Sequence, residues 1–152
     1  MEKGVDFLTL LREYFPAPPV DIRTYSPLTL AFLGDSVYEL AVRTFIVDKG
    51  NRGVEAIHKE KSRYVKAQTQ AQVAELLLEL LTPEEETIYR RGRNTNIHSS
   101  AKSASMAEYR KATGLEALCG YLYLNGETER IIRLLQEGFR RAGLLPWPEY
   151  GL

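Results

Sequence analysis

Cysteine is almost missing from this 152-residue chain. The single one, Cys119, lies in the apolar run from Leu115 to Leu124, which excludes an internal disulfide and a multi-cysteine zinc centre. Histidine is nearly as scarce: His58 and His98 are the only two, so a histidine-rich zinc site is excluded and a Ser-His-Asp triad has little support. No apolar stretch approaches the roughly 18 residues of a membrane span. The N-terminus carries Glu2, Lys3 and Asp6 and lacks the apolar core of a secretory leader. The expectation is a cytoplasmic protein, neither secreted nor inserted in a membrane. Net charge is absent too, because twenty basic and twenty acidic residues cancel. Any attraction for nucleic acid must therefore be local.

Strand signals are also lacking, whereas helical periods and helix caps are plentiful. With 44% hydrophobic and 26% charged residues, the chain can bury one core, and the pattern predicts a single all-α domain. Residues 4–14 place Phe7, Leu8, Leu11 and Tyr14 on one side of a short amphipathic helix, closed by the Pro16-Ala17-Pro18-Pro19 linker. This makes 1–20 an N-terminal extension, 21–145 the main domain and 146–152 a tail. Ser26-Pro27 starts a helix expected to run to about Asp48 and stop at Gly50. A further helical region spans Val54 to about Leu81, with a break expected near 58–62. Thr82-Pro83-Glu84-Glu85 launches a helix to about Arg91, stopped by Gly92, and Ser105-Met106-Ala107-Glu108 opens another through Leu124. The last helix covers Glu127 to about Arg141. Between them, 92–104 has no hydrophobic period and reads as an exposed loop.

Two acids stand where leucine would be expected. Asp35 sits inside the apolar run Ser26 to Leu40, and Glu116 is the only charge between Thr113 and Leu124. Burying a lone carboxylate costs several kcal/mol unless something pairs with it. Asp35, Glu39 and Arg43 are spaced four apart and share one helix face. Small neighbours, Gly34 with Ser36 and Gly114 with Ala117, would let the two helices approach and bring Asp35 and Glu116 together. Two converging carboxylates repel, and a divalent cation with oxygen ligands, Mg²⁺ or Mn²⁺, would keep both ionised. An arginine partner, Arg43 above all, would equally account for a buried acid, and spacing does not decide between the two.

The loop is basic. No acid occurs between Thr87 and Ala107, while Arg90, Arg91, Arg93, His98 and Lys102 lie there beside Asn94, Asn96, Ser99 and Ser100. These residue types suit phosphate and ribose contacts in an RNA groove. A solvated basic loop has the same composition. Lys59, Lys61, Arg63 and Lys66 would extend that surface or form an ordinary solvated helix face.

The run Leu30-Ala31-Phe32-Leu33-Gly34-Asp35-Ser36-Val37 resembles the signature helix of the ribonuclease III family, and Leu115-Glu116-Ala117-Leu118-Cys119-Gly120 resembles its second acidic motif. With Arg91-Gly92-Arg93-Asn94 between them, the pattern from about Ser26 to Phe139 is similar to the short Mini-ribonuclease III branch, the catalytic domain without a double-stranded-RNA-binding domain. The resemblance implies an all-α endoribonuclease that dimerises through the signature helix and cleaves double-stranded RNA with Mg²⁺, or Mn²⁺, leaving 5′-phosphate and 3′-hydroxyl ends. It implies Asp35 and Glu116 as catalytic metal ligands, with a metal-activated water attacking the phosphodiester in line. Its leading substrate would be a 23S ribosomal RNA precursor. Arg91, Arg93, Asn94, Lys102 and Lys66 are the expected RNA-binding residues.

This sequence departs from the longer enzymes of the family. Acids found there upstream of the signature aspartate, and three residues before the catalytic glutamate, are replaced by Leu28, Ala31 and Thr113. Fewer carboxylates are left for the ion, and Glu39 is the candidate to compensate, unless it pairs with Arg43. The missing acids also leave open a non-catalytic RNA-binding or ribosome-assembly protein on the same fold, or a purely structural helical dimer.

Overall fold

The computed structural model describes residues 6–95 and 105–144. Seven α-helices account for most of them: α1 (Phe7–Tyr14), α2 (Pro27–Val47), α3 (Val54–Val65), α4 (Ala67–Leu77), α5 (Pro83–Arg93), α6 (Met106–Leu124) and α7 (Thr128–Arg141), with short 3₁₀ turns at Ile22–Thr24 and Leu78–Leu80. No strand occurs among the described residues, and the expected all-α class is observed.

The helix starts follow from their capping chemistry. The Ser26 hydroxyl accepts from the Thr29 N–H at 3.2 Å, with Pro27 preset at the first helical position. Thr82 with Glu85, and Ser105 with Glu108, form reciprocal capping boxes at α5 and α6. Helix α6 ends where Gly126 turns to φ 73°, letting the N–H groups of Gly126 and Glu127 reach the carbonyls of Tyr123 and Leu122.

Helix α6 is the axis of the molecule. It is buried on nearly every side, through Ala112–Leu115, Ala117–Gly120 and Leu122, because α2, α4 and α5 all pack on it. The α2–α6 crossing is set by two glycines. A Cβ on Gly34 would lie 1.6 Å from the Glu116 carbonyl oxygen, and one on Gly120 would lie 2.0 Å from that of Leu30. The two backbones touch, which only glycine permits. Gly114, expected to serve this crossing, instead packs against Tyr89 and Gly92 of α5. Gly92 does not stop α5 at all. It is a buried packing residue whose Cβ would meet Gly114 Cα at 2.9 Å, and the helix continues through it to Arg93.

The core between α2, α3 and α7 is aromatic. Tyr38, Phe45, Tyr64 and Phe139 meet edge-on at centroid separations of 4.9–6.1 Å, each pair adding about 0.5–1.5 kcal/mol beyond its buried area. The Tyr38 hydroxyl donates to the Tyr64 carbonyl, and the Tyr64 hydroxyl to that of Leu144 at 3.1 Å. Around the rim, Arg130 of α7 clasps Glu85 at 2.8 and 2.9 Å and ties α5 down.

The break in the 54–81 region falls at Lys66, not at 58–62. Lys66 is extended, with ψ 150°, so α3 ends with free carbonyls. Side chains of α4 satisfy two of them: the Thr69 hydroxyl donates to Arg63 O at 2.7 Å and the Gln70 Nε2 to Val65 O at 3.0 Å. Helix α1 begins at Phe7 rather than residue 4 and buries none of its residues; Arg12 donates to the Leu124 carbonyl at 3.0 Å. The expected tail, 146–152, lies outside the described residues, as do Asn96, His98, Ser99, Ser100 and Lys102 of the basic loop.

Candidate active site

The glycine crossing that brings α2 against α6 places Asp35, directly after Gly34, beside Glu116, whose own carbonyl oxygen is the atom nearest Gly34. The two carboxyl groups share a hydrogen bond. Burial pushes the Glu116 carboxyl up to about 8, and the negative charge of Asp35 and the hydrogen bond to it push in the same direction, while a hydrogen bond from Gln70 opposes them. Neither acid has a basic partner within ion-pair distance among the described residues. This is the arrangement that the arginine-paired alternative would not produce.

Asp35 itself is not buried, contrary to expectation. Helix α2 turns Leu30, Ala31, Gly34, Tyr38, Val42 and Ile46 inward. Asp35 lies at the edge of that face, beside α6 yet exposed to solvent in the single chain, and Leu28, Phe32, Leu40 and Val47 of the same helix are exposed as well. The apolar run around Asp35 therefore does not enclose it. A groove of about 250 Å³ opens there, lined by Asp35, Ser36, Glu39, Leu40 and Arg43. Within it Glu39 is paired with Arg43 at 2.5 Å, the alternative to a ligand role for Glu39.

The donor set fits a hard divalent cation. It is made of carboxylate oxygens with no sulfur or imidazole, and the mutual repulsion raising the Glu116 carboxyl is what such an ion relieves. Among the described residues no third Asp, Glu, His or Cys joins the pair. A neutral oxygen does lie at hand. Gln70, 3% exposed, donates from Nε2 to Val65 O, lies close enough to Glu116 to favour its ionised form, and leaves its Oε1 buried without a hydrogen-bond partner. Sequence reasoning passed over Gln70. The available signal was an amide on the apolar side of α4, in register with Val73, Ala74 and Leu77.

Basic residues flank the acids. Gly92 touches Gly114 two residues before Glu116, so the end of α5 that carries Arg91, Arg93 and Asn94 emerges near the carboxylates. Arg91 is exposed; Arg93 lies over the Tyr89 ring, 5.9 Å from its centroid, and donates to Asn94 Oδ1 at 3.3 Å. Arg90 is engaged with Glu86 at 2.6 Å. Lys66, exposed at the α3–α4 break, lies one turn before Gln70.

The ribonuclease III domain matches residues 28–127, which include both acids. The chain belongs to the ribonuclease III family. Within that family it is similar to proteins called Mini-ribonuclease 3. It is 48% identical over 115 residues to the one from Thermoanaerobacter sp., covering 76% of this chain and 81% of the relative, and 47% identical over 113 residues to that of Symbiobacterium thermophilum, covering 74% and 87%. A crystal structure of a protein from Fusobacterium nucleatum superposes with a TM-score of 0.74 at 32% identity, covering 84% of this chain and all of that one. The ribonuclease III match ends before α7 and begins after α1. No described helix is long and apolar enough to cross a membrane.

Proposed function

We propose that the chain is a Mg²⁺-dependent endoribonuclease that cuts double-stranded RNA as a homodimer in the cytoplasm, with Asp35 and Glu116 as its catalytic carboxylates and a 23S ribosomal RNA precursor as its substrate. Membership of the ribonuclease III family makes it an endoribonuclease. The observation that carries the site assignment is the convergence of Asp35 and Glu116 without a basic partner.

A bound divalent cation supplies Lewis acidity at the scissile phosphate and eases proton loss from the attacking water. Asp35 and Glu116 hold and orient that ion. Their separation in exposure divides the work: Glu116, half-buried on α6, is rigidly placed, and Asp35, facing solvent, meets the incoming backbone. Arg91, Arg93, Asn94, Lys66 and Lys102 bind phosphates and sugars, fixing the duplex without reading its sequence. The exposed apolar residues of α2 support the dimer. Phe32 is 81% exposed in the single chain, with Leu28, Leu40 and Val47 along the same helix. A second copy covering them would set two carboxylate pairs against one duplex.

The test is direct. Purified protein incubated with duplex RNA and Mg²⁺ is expected to yield fragments with 5′-phosphate ends, on a 23S precursor stem above all. A folded protein that binds the duplex and leaves it intact would point to the non-catalytic RNA-binding reading.

A further inference from the structure

Gln70 is a costly residue to keep in this core. Its side chain is almost wholly buried, 3% exposed, in a helix whose neighbouring inward positions are Ala71, Val73, Ala74 and Leu77. Its Nε2 donates to the Val65 carbonyl at 3.0 Å, which settles the orientation of the amide, since that carbonyl can only accept. Its Oε1 is then left buried with no partner among the described residues, an arrangement that costs about 1–3 kcal/mol. Capping α3 accounts for the nitrogen and not for the stranded oxygen. The same side chain lies close enough to Glu116 to favour its ionised form, and α4 packs directly on α6, so the amide sits beside the carboxylate pair. Ala31 and Thr113, one turn before Asp35 and Glu116 on their helices, supply no carboxylate there.

We infer that Gln70 is a positioning residue of the cation site: its Nε2 holds the Glu116 carboxylate in place, and its Oε1 accepts a hydrogen bond from a water carried by the cation. This rests on the reading of Asp35 and Glu116 as the cation's carboxylates. A neutral amide there adds an oxygen without adding a third repelling charge. Partners of this kind around metal ligands are worth about 10–100-fold in metal affinity.

The experiment titrates Mn²⁺, without RNA, into the parent protein, Gln70→Met and Glu116→Gln, with thermal melting to establish that each is folded. Methionine keeps the length of the side chain and removes the amide. The expected result is binding to the parent, loss of it in Glu116→Gln, and binding about 10-fold weaker or worse in folded Gln70→Met. Unchanged Mn²⁺ affinity in Gln70→Met beside a loss in Glu116→Gln overturns the role of Gln70 alone. Unchanged affinity in Glu116→Gln overturns the carboxylate reading underneath it. Should Gln70→Met not fold, the side-chain amide resonances of Gln70 in the parent decide: they are expected to move on addition of Mg²⁺, and resonances that stay in place refute the inference.

Discussion

Glu116 has a consequence for stability that can be read without substrate. Its carboxyl is held up to about 8 in the folded chain, chiefly by burial and then by Asp35, against about 4.3 in an unfolded chain. Between those values the folded protein keeps a proton that the unfolded chain has released. Without a divalent cation, stability therefore falls as pH rises from about 4.3 to about 8 and levels off above, by an amount on the order of a few kcal/mol. Glu116→Gln removes this dependence, and Mg²⁺ at pH 8 is expected to restore part of the lost stability in the parent only. Melting curves across that range check it; parallel curves for parent and variant would contradict it. A second prediction concerns the basic residues. Replacing Arg93 and Lys102 by alanine should weaken duplex binding and flatten its salt dependence by a slope of up to about 2, with the fold intact. An unchanged slope would take both residues out of the interface. At this scale, charge is what made residues legible: both acids stood out because they interrupted apolar runs. Gln70 did not, because an uncharged amide in a helix is unremarkable until its burial and its unpartnered oxygen are known.

The elements were legible mainly through their caps. Ser26-Pro27, Thr82 with Glu85 and Ser105 with Glu108 mark the starts of α2, α5 and α6 as expected, since capping is a local interaction. Interiors and ends were harder. Gly92 looked like a stop signal and is a contact surface. The break at Lys66 has no glycine or proline to announce it, and is sustained by Thr69 and Gln70 reaching back to the α3 carbonyls. Which glycines made the site was likewise a tertiary question, answered by Gly34 with Gly120. Their importance can be measured. Alanine normally favours a helix by about 1 kcal/mol over glycine, yet Gly34→Ala would drive a methyl group into the Glu116 carbonyl oxygen. The clash is against backbone, so α2 must move, and a net loss of about 3 kcal/mol is expected. Urea titration should show a lower midpoint; a midpoint equal to or above the parent's would mean that the crossing is not the tight one described.

For the whole molecule, the all-α class and the two-acid plan followed from the pattern, whereas the exposure of Asp35 did not. An apolar stretch on several sides of α2 implied either a helix central to the fold or contact with a second subunit, and its outer residues Leu28, Phe32, Leu40 and Val47 remain uncovered in the single chain. Sequence cannot say whether such a face meets its own core or another copy. The proposed dimer covers it, and Phe32→Asp is expected to turn a dimer into a folded monomer in sedimentation, where a variant that stays dimeric would place the interface elsewhere. The central claim remains that Asp35 and Glu116 together perform the cleavage. Its most direct measurement is single-turnover cutting of duplex RNA with Mg²⁺ by the parent, Asp35→Asn and Glu116→Gln, with RNA affinity determined for each. The account predicts cleavage by the parent and a loss of about 10³-fold or more in both variants, which still bind the duplex. Cleavage at the parental rate by either folded variant would contradict it.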